Sequence, residues 1–243
     1  ATAIQAAAKK ANMPDGVFSM VHGGPAVGMS LVNLIDIKAI GFTGSHAAGM
    51  AILNAAMKRE EPIPVYAEMG SVNPVVLLSD KIAENPAALA AGLAGSVCMG
   101  VGQFCTNPGL VIALDSPALD RFVIAASAAL SAMEPSVMLT PGIHAAFGAG
   151  VAALEGIDLV THAASGQAST EPNRCSGRLF QTTDAAFVAD KTLGHEVFGA
   201  SAIIVRCSSL DAMISVIASL EGQLTATLQL DADDEATAAM LLP

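Results

Sequence analysis

KAIGFTGSHAAGMAILNAAMK, residues Lys38–Lys58, decides the reading of the fold. A short apolar run, Lys38–Phe42, has the length of a strand. It ends at Thr43, Gly44 and Ser45, which suit a turn and a helix start, and Ala47–Lys58 reads as a helix. A strand that passes through glycine into a helix is half of an α/β unit. The junction also aims backbone N–H groups and the helix dipole at an anion, and glycine leaves room for a phosphate. Gly44 and Gly49 stand as G-x-x-x-x-G, half of a P-loop, but no Lys follows Gly49 and the Walker pattern is broken. An ordinary turn, capped by Thr43 or Ser45, fits the same residues.

The alternation continues on both sides. Strands are expected at Val17–Val21, Val65–Ala67, Val75–Leu78, Leu110–Leu114, Leu179–Gln181, Ala202–Arg206 and Ala226–Leu230. Helices are expected at Pro25–Asn33, Pro86–Met99, Pro117–Met133, Ile143–Leu154, Leu210–Leu220 and Asp233–Leu242, after an N-terminal helix that breaks at Pro14. Together these predict an α/β protein with largely parallel strands. The chain starts without Met and ends in MLLP, in mid-helix by pattern, which leads to the expectation of a piece cut from a longer protein.

Composition narrows the function classes. With 53% hydrophobic and 14% charged residues the chain has enough apolar surface to fold. A formal net charge of -11, with no Lys/Arg run, argues against nucleic acid and anionic membrane surfaces as partners. No charge occurs between Glu84 and Asp115, but that stretch holds Gly92, Gly95, Gly100, Gly102, Gln103, Asn107 and Pro108. It reads as a buried helix running into a functional loop rather than a membrane span. The four cysteines form no C-x-x-C pair. That pattern supports neither a metal cluster nor a disulfide scaffold, and implies a reducing, cytoplasmic setting.

Three further segments carry chemistry. In YAEMGSVNP, Tyr66–Pro74, Glu68 ends a short apolar strand; a partly desolvated carboxylate there can take a proton near neutral pH, and a surface carboxylate fits equally. Asn73, before Pro74, reads as a turn residue. In GVGQFCTNPG, Gly100–Gly109, Cys105 lies in a glycine-rich loop that a substrate can reach, where backbone N–H groups can favour a thiolate and hold an oxyanion. Cys98, Cys175 and Cys207 read as structural. In GHEVFGA, Gly194–Ala200, Glu196 suits a ribose partner or a solvated turn.

FTGS (Phe42–Ser45), EMGSVNP (Glu68–Pro74), GQFCT (Gly102–Thr106) and EVFG (Glu196–Gly199), in this order, resemble the aldehyde dehydrogenase superfamily. The resemblance runs from the first helix to LEGQLTATL, Leu220–Leu228. It implies part of a Rossmann-type coenzyme domain (1–67) and most of an α/β catalytic domain (68–243). It also implies NADP or NAD as cofactor and an aldehyde as substrate, in a homo-oligomer, dimer or tetramer. Cys105 would be the nucleophile, with its N–H in the oxyanion hole, and Glu68 the base that activates water. Gly44 and Ser45 would belong to the pyrophosphate site, with Gly49, Met69 and Gly70 also lining the cofactor. Glu196 would hold the nicotinamide ribose, with Phe198 packed beside it. No metal site is implied.

Ala200 departs from the family's usual Pro, and EMGSVNP departs from its common ELGGKNP. EMGSVNP and GQFCTNPG resemble the branch that oxidises α-ketoglutaric semialdehyde; long-chain aldehydes are the other substrate class. The family's P-W-N segment, its adenosine-ribose Lys and the first nucleotide-fold strands have no counterpart, so the expectation is that the chain alone does not run the full reaction. Two other readings stand beside this one: an inactive fragment that binds nucleotide weakly or self-associates, and a cysteine hydrolase pairing Cys105 with His144 or His195.

Overall fold

A computed structural model describes residues 1–241. The chain divides into two compact units, Ala1–Met69 and Gly70–Pro243.

The first unit contains helices α1 (Thr2–Lys10) and α2 (Pro25–Asn33), strand β1 (Ile40–Thr43), helix α3 (His46–Met57) and strand β2 (Val65–Glu68). β1 and β2 pair in parallel, Ile40 opposite Val65 through Thr43 opposite Glu68. Ser45 caps α3, its Oγ accepting from the Ala48 N–H at 3.3 Å. The core is small: Val32, Ala56 and Ile63 are buried, with Ile37, Ile40, Ile52 and Val65 packed on them. The strand expected at Val17–Val21 does not form. The sheet here holds only β1 and β2, so that run has no ladder to join, and Val17, Met20 and Val21 stay exposed.

The second unit follows with β3 (Val75–Leu77), α4 (Ser79–Glu84), α5 (Pro86–Cys98), β4 (Leu110–Leu114), α6 (Pro117–Ser131), β5 (Ser136–Val137) and α7 (Pro141–Glu155). After these come β6 (Thr161–Ser165), β7 (Arg174–Cys175), β8 (Arg178–Thr183), α8 (Asp184–Ala189), β9 (Ser201–Cys207), α9 (Leu210–Ala218), β10 (Thr227–Gln229) and α10 (Glu235–Leu241). Six strands form one sheet in the order β10-β3-β4-β9-β8-β6. Every neighbour pair is parallel except β6 with β8. β5 and β7 make a separate antiparallel pair.

Period-two alternation sorts β4 between two cores. Leu110 and Ile112 share a cluster with Phe147 and Val151 of α7 and Met213 and Val216 of α9. Val111 and Ala113 share the other with Leu93 and Val97 of α5 and Phe122 and Ala126 of α6. Helix starts follow local chemistry. Asn85, Ser116 and Thr140 each accept a backbone N–H at the caps of α5, α6 and α7, each followed by Pro. The charge-free α5 is 13 residues long, and among the described residues no helix is long and apolar enough to cross a membrane. The last helix was expected to reach Leu242, which lies outside the described residues.

Candidate active site

The Cys105 loop leaves α5 through an unusual backbone. Gly100, Val101 and Gly102 have φ of 54°, 61° and 66°, so three successive residues are left-handed. A valine there is costly and persists only where its surroundings hold it; Val101 is buried in the core. Gly102 meets a stricter demand: a Cβ on it would lie 2.2 Å from Gly199 C and 2.3 Å from Gly199 O. The loop backbone thus rests directly on the backbone of the Glu196–Gly199 segment, and two of the sequence motifs are brought together. Gln103 ties the loop sideways, its Oε1 accepting from Leu139 N–H at 2.9 Å and its Nε2 donating to Gly100 O at 3.1 Å.

Cys105 itself is exposed, whereas Cys98 is half-buried and Cys175 and Cys207 are buried; all four are free. Burial pushes the Cys98 thiol up, and pushes Cys175 to about 11 and Cys207 to about 12. The three other thiols therefore stay protonated near neutral pH.

Beneath Cys105 lies a side chain that sequence reading took for a turn residue. Asn73 is 3% exposed and left-handed, with φ of 46°. Its Nδ2 donates to the carbonyls of Cys105 and Asn107, both at 2.9 Å. Its Oδ1 lies 2.9 Å from Ser71 Oγ and accepts from Thr225 Oγ1 at 3.0 Å. Gln223 supports the same segment, its Oε1 accepting from Val72 N–H at 2.7 Å and Asn73 N–H at 3.2 Å. An Asn before Pro, a pairing that resists the right-handed helical region, was the signal that could have flagged this residue.

Glu196 lies against Gly70: a Cβ on Gly70 would meet its Oε2 at 2.5 Å. Burial raises the Glu196 carboxyl above its ordinary value, and the Ser71 N–H pulls it back down. Ser71, Gly102, Asn107, Glu196 and Phe198 line one small pocket, and Phe198 is part-exposed at its edge. His195 lines the pocket as well. His144 is engaged elsewhere, its Nε2 3.1 Å from Arg174 O.

In the first unit, Gly44, Gly49 and Met69 also come together. Gly44 N–H donates to Glu68 O at 3.1 Å. A Cβ on Gly44 would strike the Phe42 ring at 2.7 Å, and one on Gly49 would strike Met69 Sδ at 2.6 Å. Gly49 is buried, so it serves helix-to-Met69 packing, whereas the sequence reading gave it to phosphate approach. Glu68 is exposed, which is the surface-carboxylate reading that fitted its neighbours equally and not the partly desolvated one. It ends a strand whose alternate residues face outward, where solvent reaches it. Within the first unit, the capped start of the 12-residue α3 presents N–H groups of the kind that can hold a phosphate. Separately, the half-buried Glu196 beside a side-chain-free Gly70 offers a carboxylate to a ribose. Among the described residues, no group of three His, Cys, Asp or Glu is placed to hold a metal ion.

Comparison with known proteins agrees over nearly the whole chain. The aldehyde dehydrogenase family matches residues 1–240. An alpha-ketoglutaric semialdehyde dehydrogenase 2 of Azospirillum brasilense is 48% identical over 242 residues, 99% of this chain and 46% of that protein. An alpha-ketoglutaric semialdehyde dehydrogenase of Acinetobacter baylyi is 37% identical over 243 residues, 100% of this chain and 46% of that protein. The chain thus spans about half the length of these relatives. In fold, it matches a gamma-glutamyl-gamma-aminobutyraldehyde dehydrogenase of Burkholderia cenocepacia with a TM-score of 0.77 at 22% identity, covering 99% of this chain and 50% of that one.

Proposed function

The chain belongs to the aldehyde dehydrogenase family, and from that premise we propose that it carries the cysteine chemistry of NAD(P)-dependent aldehyde oxidation. The observation that carries the reading is Cys105: the exposed member of four free cysteines, on a loop held by Gly102 packing and the Asn73 amide. The substrate we propose is α-ketoglutaric semialdehyde, oxidised to 2-oxoglutarate. The two relatives of that name, matched over almost all of this chain, support this choice.

In this reading, residues 1–67 belong to the cofactor-binding domain and 68–243 to the catalytic domain. The Cys105 thiolate bonds to the aldehyde carbon, and the carbonyl electron pair moves to oxygen, where the Cys105 N–H receives it. A bound nicotinamide dinucleotide supplies the hydride acceptor. Loss of hydride from the thiohemiacetal carbon leaves a thioester on Cys105. Glu68 takes a proton from water, the water oxygen adds to the thioester carbon, and the C–S bond breaks to release acid and thiolate. Glu196, beside Phe198 and the side-chain-free Gly70, would hold ribose hydroxyls of the dinucleotide, and Gly44 and Ser45 would hold its pyrophosphate.

The test is to incubate the chain with semialdehyde and NADP or NAD, quench in acid, and map thioesters by mass spectrometry. The expected result is an acyl adduct on Cys105, absent in Cys105→Ser, that accumulates because the chain alone does not complete steady turnover. Acyl adducts spread over several thiols, or none with either cofactor, overturn the assignment. Steady production of reduced cofactor by the chain alone would defeat the expectation that further segments are required.

A further inference from the structure

We propose that Asn73 is the positioning residue that holds the Cys105 loop, and that the contact between residues 71–73 and residues 223–225 sets Asn73 in turn; the proposal rests on Cys105 being the nucleophile. The Asn73 amide nitrogen is fully engaged: its shortest hydrogen bonds, both 2.9 Å, go to the loop carbonyls of Cys105 and Asn107, with Ser71 O further off at 3.4 Å. The two carbonyls belong to the Cys105–Thr106 and Asn107–Pro108 peptides, so the amide fixes the peptide planes before Thr106 and after Asn107. Fixing the Cys105 carbonyl constrains ψ at Cys105, and with it the direction of Cα–Cβ and Sγ relative to the next N–H.

The other side of the amide fixes which way round it sits. Oδ1 accepts from Thr225 Oγ1 at 3.0 Å and lies 2.9 Å from Ser71 Oγ. Ser71 Oγ accepts from Leu224 N–H at 3.0 Å, and it also lies 2.9 Å from Gln223 Oε1. A flipped amide would turn an NH2 toward these hydroxyls and an oxygen toward two carbonyl oxygens, which is repulsive. The left-handed φ of 46° at Asn73 aims the side chain under the loop, and Asn tolerates that backbone better than most residues. No other side chain described here donates to the Cys105 carbonyl. Asp at this position would keep the acceptor and offer at most one proton.

The experiment compares Asn73→Gly, Asn73→Asp and Thr225→Val in the same chain. Amide hydrogen exchange over residues 103–109 and iodoacetamide alkylation at Cys105, with Cys98 as the internal reference, are followed from pH 5 to pH 9. Neither readout needs turnover, so a failure of aldehyde oxidation leaves this test intact. In Asn73→Gly, which removes both donors and tolerates the backbone, exchange in the loop should rise at least about tenfold. In Thr225→Val, which keeps both donors, it should rise less than about threefold. In Asn73→Asp a new titration should appear: the protonated carboxyl donates to one carbonyl, the ionised one repels both, and loop exchange and Cys105 alkylation should both step with its pKa. A structural role confined to packing would move none of these with pH. If Asn73→Gly fails to fold, Asn73→Asp carries the test. Equal effects of Asn73→Gly and Thr225→Val, or an Asn73→Asp profile parallel to the unmodified chain, overturn the proposal.

Discussion

Gly102→Ala tests whether the backbone-on-backbone contact between the Cys105 loop and the Gly199 segment is as tight as described. Two costs are legible. An L residue held at φ of 66° loses about 1–2 kcal/mol. The new methyl would also sit 2.2 Å from Gly199 C and 2.5 Å from Ala200 N, so one backbone must retreat by roughly 1 Å before contact is tolerable. Overpacking of this kind costs about 1–3 kcal/mol, and it cannot be relieved by a rotamer change because both sides are main chain. The loss should total about 2–5 kcal/mol, a large share of the ~5–15 kcal/mol typical of a domain. Urea unfolding at equilibrium, followed by far-ultraviolet dichroism, reads it directly. Gly92→Ala is the control. Gly92 lies in α5 with nothing within 4 Å of its added Cβ, and the substitution should stabilise by about 0.5–1 kcal/mol. A Gly102→Ala midpoint within about 0.5 kcal/mol of the unmodified chain would refute the reasoning.

Three further outcomes are expected. Native-state alkylation near neutral pH should modify Cys105 well before Cys175 and Cys207, whose thiols sit at about 11 and about 12; early labelling of either buried thiol would contradict their placement. Glu196 has a folded pKa raised by burial, so its protonated form favours folding: the contribution is full below the unfolded value and is lost as pH rises through the folded one. Glu196→Gln should therefore lose less stability than the unmodified chain as pH rises through the range just above the usual carboxylate value, and parallel unfolding midpoints would count against the burial. Asp234, buried, accepts from the Asp80, Lys81 and Asp231 N–H groups; Asp234→Ala should cost about 2–3 kcal/mol in the same urea assay, and a neutral result would mean that water replaces it.

The parts of the fold legible in the sequence are those whose signals are local. β4, read from LVIAL, runs over Leu110–Leu114 as expected, because a continuous apolar run buried on both faces needs no context. α5, α6 and α7 announce themselves by a capping side chain followed by Pro. What escaped depends on partners distant in the chain. β6, Thr161–Ser165, has no apolar run of its own and is a strand because β8 lies antiparallel beside it. Val17–Val21 is the reverse case, a good local pattern with no neighbour. The site divides the same way. Cys105 stands out in its glycine-rich loop and Glu196 stays open between two readings, whereas Asn73 reads as a turn residue: apart from Ser71, its side-chain partners lie 32 to 152 residues away, and its place before Pro is the one local signal. Glu68 has two equal readings from its neighbours, and the strand's outward face decides for the exposed one.

β10 lies at the edge of the six-stranded sheet beside β3 although it comes last of the strands, and the residues just before it, Gln223 and Thr225, hold Asn73. This imposes a timetable. A ribosome delivers the cysteine loop more than a hundred residues before the segment that completes its support, so through most of synthesis the thiol rides on an unfinished loop. Pairings this distant form late and slowly, so the support of the Cys105 loop is completed late.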